Sequence, residues 1–190
     1  MNKISKLDWI QGGFRTLTSD GHLAIKAEVI ARDLGVSKGS FYWHFDNVAA
    51  FKIAMLEHWV AQGTDGIMSQ VRNADAEPSD QLRSLVNTIT AELNAPYGGL
   101  LAESAIRNWA RFDPQVLLSV RRVDQSRLKF LASLFRRAGG SAEISRRFAN
   151  LFYSGLIGLE YLTHERLAKL KTDLPVLLDL LLESINPGEN

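Results

Sequence analysis

Apolar residues recur every three or four positions along most of the chain, the spacing that places them on one face of an α-helix. Strand-like alternation is hard to find, so the sequence predicts an all-α fold of about nine helices. The first helix begins after Ser5, whose pairing with Asp8 resembles a capping box, and ends before Gly21. Its apolar stripe consists of Leu7, Ile10, Phe14 and Leu17, with Trp9 beside it.

Two shorter helices are predicted next, joined by a glycine turn. The second helix covers about residues 26–34, and Gly35 ends it because glycine adopts a left-handed backbone without strain. Ser37 is a suitable cap for the third helix, in which Phe41 and Phe45 share one face and can anchor it to a core. Two helices joined in this way form a helix-turn-helix, whose second helix can enter a DNA major groove.

The remaining helices are longer. The fourth is predicted to run from Asn47 to about Asn73, with Asp46 as its cap, and it belongs to both halves of the chain. Residues 74–79 form a linker, and residues 94–99 break the chain again. The other helices are predicted to start at Ser79-Asp80, Leu101, Asp113-Pro114, Ser141 and Asp173-Leu-Pro175.

The last two predicted helices, residues 142–164 and 173–185, carry more apolar surface than one-sided burial can use. Gly155 and Gly158 lie three residues apart and allow a neighbouring helix to approach closely. We interpret the pair as one half of a four-helix homodimer interface. The alternative is that both helices belong to the core of a single chain.

Composition narrows the class of protein. The chain of 190 residues is 46% hydrophobic and 23% charged, and it has no cysteine, so disulfides and thiolate metal sites are excluded. Its apolar runs are far shorter than the ~20 residues needed to span a bilayer. Residues 1–8 lack the apolar segment of a signal peptide. A cytoplasmic protein without a membrane anchor is therefore expected. Residues 1–52 hold seven Lys/Arg against five acidic residues, which favours a polyanionic partner only weakly.

The segment Ile-Ala-Arg-Asp-Leu-Gly-Val-Ser-Lys-Gly-Ser-Phe-Tyr-Trp-His-Phe at residues 30–45 resembles the helix-turn-helix of TetR-family transcriptional regulators. The strong similarity covers about residues 7–59. It implies an N-terminal three-helix DNA-binding domain, residues 1–46, and a larger helical ligand-binding and dimerisation domain, residues 47–190, with a fourth helix, 47–73, shared by both. It also implies a homodimeric repressor that binds palindromic double-stranded DNA and is released by a small effector.

The resemblance assigns DNA contacts residue by residue. Lys38, Tyr42 and His44 are expected at phosphates, and Ser37 lies at a helix start that favours a phosphate. Trp43 is expected at a thymine methyl group or a sugar. The alternative for Trp43 and His44 is packing against the fourth helix. The complete set of predicted DNA-binding residues is Lys26, Ser37, Lys38, Gly39, Ser40, Tyr42, Trp43 and His44.

Two departures from the family pattern affect this set. Lys26 stands where family members often carry a hydroxyl, so its charge replaces a capping hydrogen bond to phosphate. Asp46-Asn47-Val48 lacks the basic residue usual after Phe45, and the next cation is Lys52. The missing basic residue after Phe45 and the small net charge of +1 support an alternative function, a helical ligand-binding or interaction dimer that no longer binds DNA.

The effector pocket is predicted to be largely apolar and to suit a hydrophobic or aromatic ligand. Its candidate residues are Trp59, Arg107, Trp109, Phe130 and Phe152, although aromatic residues at helical spacing are more often core.

No catalytic, metal or cofactor site is predicted, because no phosphate-binding glycine loop or nucleophile elbow is present and the histidines are scattered. Glu160 and His164 have the spacing of metal ligands but lack a third partner. Glu103 and Arg107 are expected to form a helix-surface ion pair.

Overall fold

A computed structural model of the chain describes residues 4–74, 76–91, 99–162 and 166–185. All regular secondary structure in these ranges is helical, which confirms the predicted fold class. The helices are α1 Lys6–Asp20, α2 Ala27–Asp33, α3 Lys38–Phe41, α4 Val48–Val60, α5 Ile67–Asn73, α6 Pro78–Ala91, α7 Gly99–Trp109, α8 Pro114–Arg137, α9 Ala142–Leu162 and α10 Arg166–Glu183. A 3₁₀ turn, His22–Ala24, follows α1, and a π-helical turn, Ala61–Gly66, joins α4 to α5 without a break.

The chain folds as two compact units. The first comprises Met1–Gly63 and Asn94–Val120, and the second comprises Thr64–Leu93 and Arg121–Asn190. The first unit therefore contains α7 and the start of α8 in addition to α1–α4. The functional division expected from the resemblance, residues 1–46 and 47–190, stays a prediction.

Local capping signals place several helix starts where they were predicted. Ser5 and Asp8 form the complete capping box of α1. Asp113 Oδ1 accepts a hydrogen bond from the Gln115 backbone N–H at 3.0 Å at the start of α8. Ser141 Oγ accepts one from the Ile144 N–H at 3.2 Å at the start of α9. In each case the cap lies within three residues of the group that it satisfies, so a short stretch of sequence contains the whole interaction.

Three predicted helix starts are wrong. Asn47 rather than Asp46 caps α4, since Asn47 Oδ1 accepts from the Ala50 N–H at 2.8 Å. Helix α6 begins at Pro78, so Ser79 and Asp80 lie inside it. Helix α10 does not begin at 173–175 but at Arg166, and it contains Pro175 in its interior.

The early start of α10 has a packing cause. An interior proline removes a backbone hydrogen bond and costs about 3 kcal/mol. Leu170, Leu174 and Leu178 are spaced four apart and are fully or almost fully buried, so the helix places one continuous apolar face across the proline. This burial offsets the cost. Tertiary contact therefore overrides the local signal that predicted a helix start at Pro175.

In the second unit, α9 and α10 pack directly against each other. A Cβ added at Gly155 would lie 2.5 Å from Leu177 Cδ2, so this glycine serves close packing inside the chain. A Cβ at Gly158 would meet nothing within 4 Å. The two glycines, which the sequence groups together, thus have different surroundings. Residues 163–164 of the predicted interface, including His164, lie outside the described residues.

Candidate nucleic-acid interface

Helix α3 is anchored by two phenylalanine rings. Phe41 is completely buried, and its ring centroid lies 5.3 Å from that of Trp9 in α1 and 5.4 Å from that of Phe51 in α4. Phe45 lies 4.8 Å from Phe51 in an edge-to-face arrangement. Edge-to-face pairs at these distances add stability beyond their buried area. Phe41 and Phe45, the two predicted anchors, therefore hold α3 and the residues after it against α1 and α4.

The turn before α3 depends on a glycine. Gly35 has φ of 68°, a left-handed conformation that other residues adopt only with strain. The chain is tied on both sides of it, because the Leu34 N–H donates to Ile30 O and the Val36 N–H donates to Ala31 O, each at 2.9 Å. This turn fixes the direction in which α3 leaves α2.

The aromatic side chains after α3 are directed into solvent. Trp43 is 89% exposed and Tyr42 is 53% exposed. The alternative that Trp43 packs against the fourth helix is therefore wrong. His44 is different, since it is half-buried and its ring lies 6.4 Å from that of Phe45. The contact of His44 with a phosphate stays a prediction. Part of its side chain is buried, and the ring of Phe45 lies next to it.

The polar residues at the start of α3 are exposed. The Ser37 side chain makes no capping hydrogen bond, although its backbone carbonyl accepts from the Ser40 N–H at 3.0 Å. Its hydroxyl is thus not engaged as the predicted cap. A Cβ at Gly39 would meet only Ser37 Oγ, at 3.8 Å, so internal packing does not demand a glycine here. Ser40 is half-buried between these positions and the anchor Phe41.

Two lysines flank this surface. Lys26 is exposed at the N-terminal cap position of α2, where its side chain makes no capping hydrogen bond. Lys38, the first residue of α3, forms an ion pair with Glu28 in the first turn of α2, with 3.4 Å between Nζ and Oε2. We call the exposed set Lys26, Ser37, Lys38, Gly39, Tyr42 and Trp43 the α3 surface. This surface has two lysine cations, the hydroxyl groups of Ser37 and Tyr42, and the solvent-exposed indole of Trp43.

Lys52, the next cation in the sequence after Phe45, contacts the interior of the first unit. Its Nζ lies 5.4 Å from the centroid of the Trp109 ring in α7, a cation–π distance. The ring of His22 stacks on the same tryptophan with an interplanar angle of 8°. Trp109 is thereby enclosed by residues of α4 and the 3₁₀ turn, and it is only 2% exposed.

The five effector candidates are distributed over both units. Trp59, Arg107 and Trp109 belong to the first unit, whereas Phe130 and Phe152 belong to the second. Phe130 lies beneath the guanidinium of Arg72 at 5.0 Å, and Phe152 packs against Phe135. Their role in a pocket stays a prediction.

The expected helix-surface ion pair of Glu103 and Arg107 is buried instead. The side chains are 5% and 15% exposed, and Arg107 Nη2 lies 2.7 Å from Glu103 Oε1. The second carboxylate oxygen accepts a hydrogen bond from Trp59 Nε1 at 3.2 Å. The four-residue spacing of Glu103 and Arg107 correctly predicts their ion pair. It does not predict that the pair is buried, because the burial depends on Trp59 of α4, which is distant in sequence.

A polar network in the second unit was missed by sequence reasoning. Arg127 Nε donates to Thr64 Oγ1 at 3.1 Å, and Tyr153 Oη donates to Asp124 Oδ1 at 2.7 Å. Arg127 Nη1 joins the two pairs through Tyr153 Oη at 3.3 Å. The three-residue spacing of Asp124 and Arg127 was the only available signal, since Thr64 and Tyr153 are distant in sequence.

The described residues contain no group of three potential metal ligands, and none of their helices is long and apolar enough to cross a membrane. No protein-family model matches the sequence, and it has no match among curated proteins. Comparison of folds therefore provides the available relationship to known proteins.

Several solved structures share the fold over essentially their whole length. A TetR transcriptional regulator from Legionella pneumophila has a TM-score of 0.75 at 17% identity, over 98% of this chain and 100% of its own. A TetR-family regulator from Agrobacterium tumefaciens has 0.73 at 20% identity, over 97% and 99%. The fatty acid degradation regulator FadR from Bacillus halodurans has 0.70 at 20% identity, over 100% and 99%. At these identities the likeness establishes the fold, and these neighbours are regulators rather than enzymes.

Proposed function

We propose that this chain, which has the fold of the TetR-family transcriptional regulators, is itself a transcriptional regulator of that family. In this proposal it acts as a repressor, binds a palindromic operator as a homodimer, and is released by a small hydrophobic effector. The observation that carries the proposal is the solvent-exposed Trp43, which lies after α3 between the buried anchors Phe41 and Phe45.

The α3 surface suits the two kinds of DNA contact. Lys38 and the Ser37 hydroxyl stand at a helix start, where phosphate contacts position a protein on the duplex without reading sequence. Trp43 offers an apolar edge for a thymine methyl group in the major groove. The space beside Gly39 is not filled by other residues of the protein. The DNA can therefore approach the backbone of α3 closely at this position. Lys26, Ser40, Tyr42 and His44 complete the proposed interface.

Homodimerisation is supported by apolar side chains that the chain itself does not cover. Leu151 and Leu162 of α9 are 56% and 75% exposed, and Val176 and Leu180 of α10 are each 57% exposed. We assign these faces to contact with a second copy, within residues 142–162 and 166–183. Two α3 helices related by a dimer axis can then enter successive major grooves, about 34–36 Å apart.

Effector release follows from coupled equilibria. An effector that binds more tightly to a conformation with mismatched α3 helices shifts the population toward it and lowers DNA affinity. The candidates Trp59, Arg107, Trp109, Phe130 and Phe152 are apolar except for one arginine, which favours a hydrophobic or aromatic ligand.

Salt-dependent DNA titration tests the proposal. Binding of fluorescently labelled duplex DNA is measured from low to high salt for the wild-type chain, Lys38→Ala and a control, Lys129→Ala, which removes an exposed lysine of α8. The wild-type affinity should fall steeply with salt. Lys38→Ala should weaken binding and flatten the slope by about one unit per bound protomer, while the control follows the wild type. Equal behaviour of the two variants contradicts the assignment.

A second candidate is a helical ligand-binding or interaction dimer that does not bind DNA. The position of Lys52 against Trp109 favours it, because the cation nearest to the missing basic residue is engaged inside the first unit. This candidate predicts that wild-type chain shows no measurable affinity for duplex DNA at low salt, so the same titration decides between the two.

A further inference from the structure

We propose that Glu28 acts as an internal counter-anion for Lys38, lowering the affinity of the α3 surface for the backbone of any DNA. This inference rests on the proposed function, because it assigns a second residue to the same interface. Its carrying observation is the ion pair between Glu28 Oε2 and Lys38 Nζ at 3.4 Å, which joins α2 to the first residue of α3.

Both partners of the pair remain open to solvent and to a ligand. The Lys38 side chain is 54% exposed and that of Glu28 is 57% exposed. An exposed ion pair of this kind is weak, so a phosphate can displace the carboxylate without disturbing the fold. The pair is therefore placed to modulate binding rather than to hold α2 and α3 together.

Glu28 is held in its charged form by its position. It lies in the first turn of α2, where the helix dipole stabilises a negative charge. Its backbone hydrogen bond and then Lys38 lower the pKa of the Glu28 carboxyl below its ordinary value. The Glu28 carboxylate is therefore ionised in the folded protein near neutral pH. It competes with a DNA phosphate for Lys38 throughout this pH range.

Competition at Lys38 affects all DNA sequences equally. Phosphate contacts carry no sequence information, so a carboxylate that opposes such a contact weakens specific and non-specific binding by the same factor. When a phosphate takes the place of Glu28, the displaced carboxylate also stays close to the polyanion and repels it. The effect is to shorten retention on every DNA by one factor, while the ratio of affinities between sites stays set by the base-reading residues.

A double-mutant cycle tests the inference. Affinity for a random-sequence duplex is measured at one low salt concentration for wild type, Glu28→Gln, Lys38→Gln and the double variant. Glu57→Gln, which removes an exposed carboxylate of α4, controls for the change in net charge. Glu28→Gln should bind on the order of threefold more tightly than wild type. In the Lys38→Gln background its effect should become clearly smaller but stay above that of Glu57→Gln, because the Glu28 carboxylate still lies near Lys26 and repels the polyanion directly.

The outcomes separate the inference from the proposed function. If wild-type chain binds DNA but Glu28→Gln matches Glu57→Gln, weakens binding, or tightens it equally with and without Lys38, the inference is overturned and the proposed function stands. If wild-type chain binds no DNA, both are overturned. Thermal unfolding of each variant verifies that the exposed substitutions leave the fold intact.

Discussion

At the scale of single residues, Trp43 is the side chain whose placement internal packing explains least. It follows a short helix fixed on its other side by Phe41 and Phe45, and it presents an indole almost wholly to solvent. The Trp43 indole lies outside the buried aromatic cluster of Trp9, Phe41, Phe45 and Phe51. In the proposed function, this exposed indole contacts bases of the DNA.

Replacing Trp43 by alanine should leave stability almost unchanged, because little surface is lost from the fold. It should reduce the ratio of operator to random-DNA affinity roughly tenfold, since loss of discrimination at one base pair typically costs about 1–3 kcal/mol. Competition titrations with both DNAs measure this ratio. Leu23→Ala is the matched control, as Leu23 is another exposed apolar residue of the first unit, 78% accessible. An equal loss of affinity for both DNAs would instead make Trp43 a non-specific contact.

A second residue-level prediction concerns His58 in α4. The residue is half-buried, with its ring 6.2 Å from that of Phe14, and burial lowers the pKa of its imidazole. The folded pKa is below that of the unfolded chain, so the unfolded state binds more protons between the two values. Stability should therefore fall as the pH drops through about 6.5 toward the folded pKa.

Urea unfolding at a series of pH values checks this sign. His58→Gln removes the titrating group, so the decrease in unfolding free energy on acidification should become smaller than in wild type. The comparison uses the change with pH rather than absolute stability, because the substitution also alters packing against Phe14. An unchanged or steeper dependence in the variant would show that His58 is not the group responsible.

At the scale of helices, one glycine of α1, Gly13, allows α1 and α4 to pack closely. A Cβ at Gly13 would lie 2.6 Å from Met55 Sδ and 2.6 Å from the Phe51 ring. Gly13→Ala should therefore destabilise the chain by about 1–3 kcal/mol through overpacking. Gly39→Ala is the matched control, because its Cβ meets no closer atom than Ser37 Oγ at 3.8 Å. Chemical denaturation of both variants gives the comparison, and equal stability would refute the close-packing argument.

The helices also show which structural information is local in the sequence. Helix α1 is predicted correctly at both ends because Ser5, Asp8 and Gly21 act within a few residues of the groups that they satisfy. The start of α10 is not, because its course through Pro175 depends on leucines packed against other helices. Where burial by a distant segment outweighs a local signal, pattern reasoning from one sequence misplaces the boundary.

The same distinction applies to the candidate site. The spacing of Phe41 and Phe45 predicts the buried side of this segment, whereas packing of Trp43 against the fourth helix stays open from sequence alone and is excluded by its exposure in the structure. The engagement of Lys38 by Glu28, of Lys52 by Trp109 and of Trp59 by Glu103 joins residues ten to fifty-seven positions apart. No periodic pattern contains such pairings, so these partners emerge only from the folded chain.

At the scale of the whole molecule, the proposed dimer places a second copy on the exposed apolar side chains of α9 and α10. Leu151, Gly155, Gly158 and Leu162 are spaced four, three and four residues apart, which places them on one face of α9. Gly155 is occupied by Leu177 of the same chain, whereas Gly158 has open space around it. Gly158 is accordingly the position at which a second copy can approach the helix most closely.

Gly158→Arg should convert a dimer into a monomer without unfolding the chain, because the new side chain meets no atom of its own protomer near Cβ. Sedimentation equilibrium measures the change, and thermal unfolding of the monomer verifies that the helices remain. Gln125→Arg, which adds the same charge at an exposed position of α8, should remain dimeric. A Gly158→Arg chain that dimerises as tightly as wild type would move the interface away from this face.

The most direct test of the central claim, that the α3 surface reads DNA, is selection of bound sequences from random duplex DNA by wild-type chain. A palindrome should be enriched whose half-sites are centred about 10 base pairs, or one helical turn, apart or at a multiple of that spacing. The enrichment should be lost with Trp43→Ala and retained with Leu23→Ala. A wild-type selection that enriches no sequence would contradict the account.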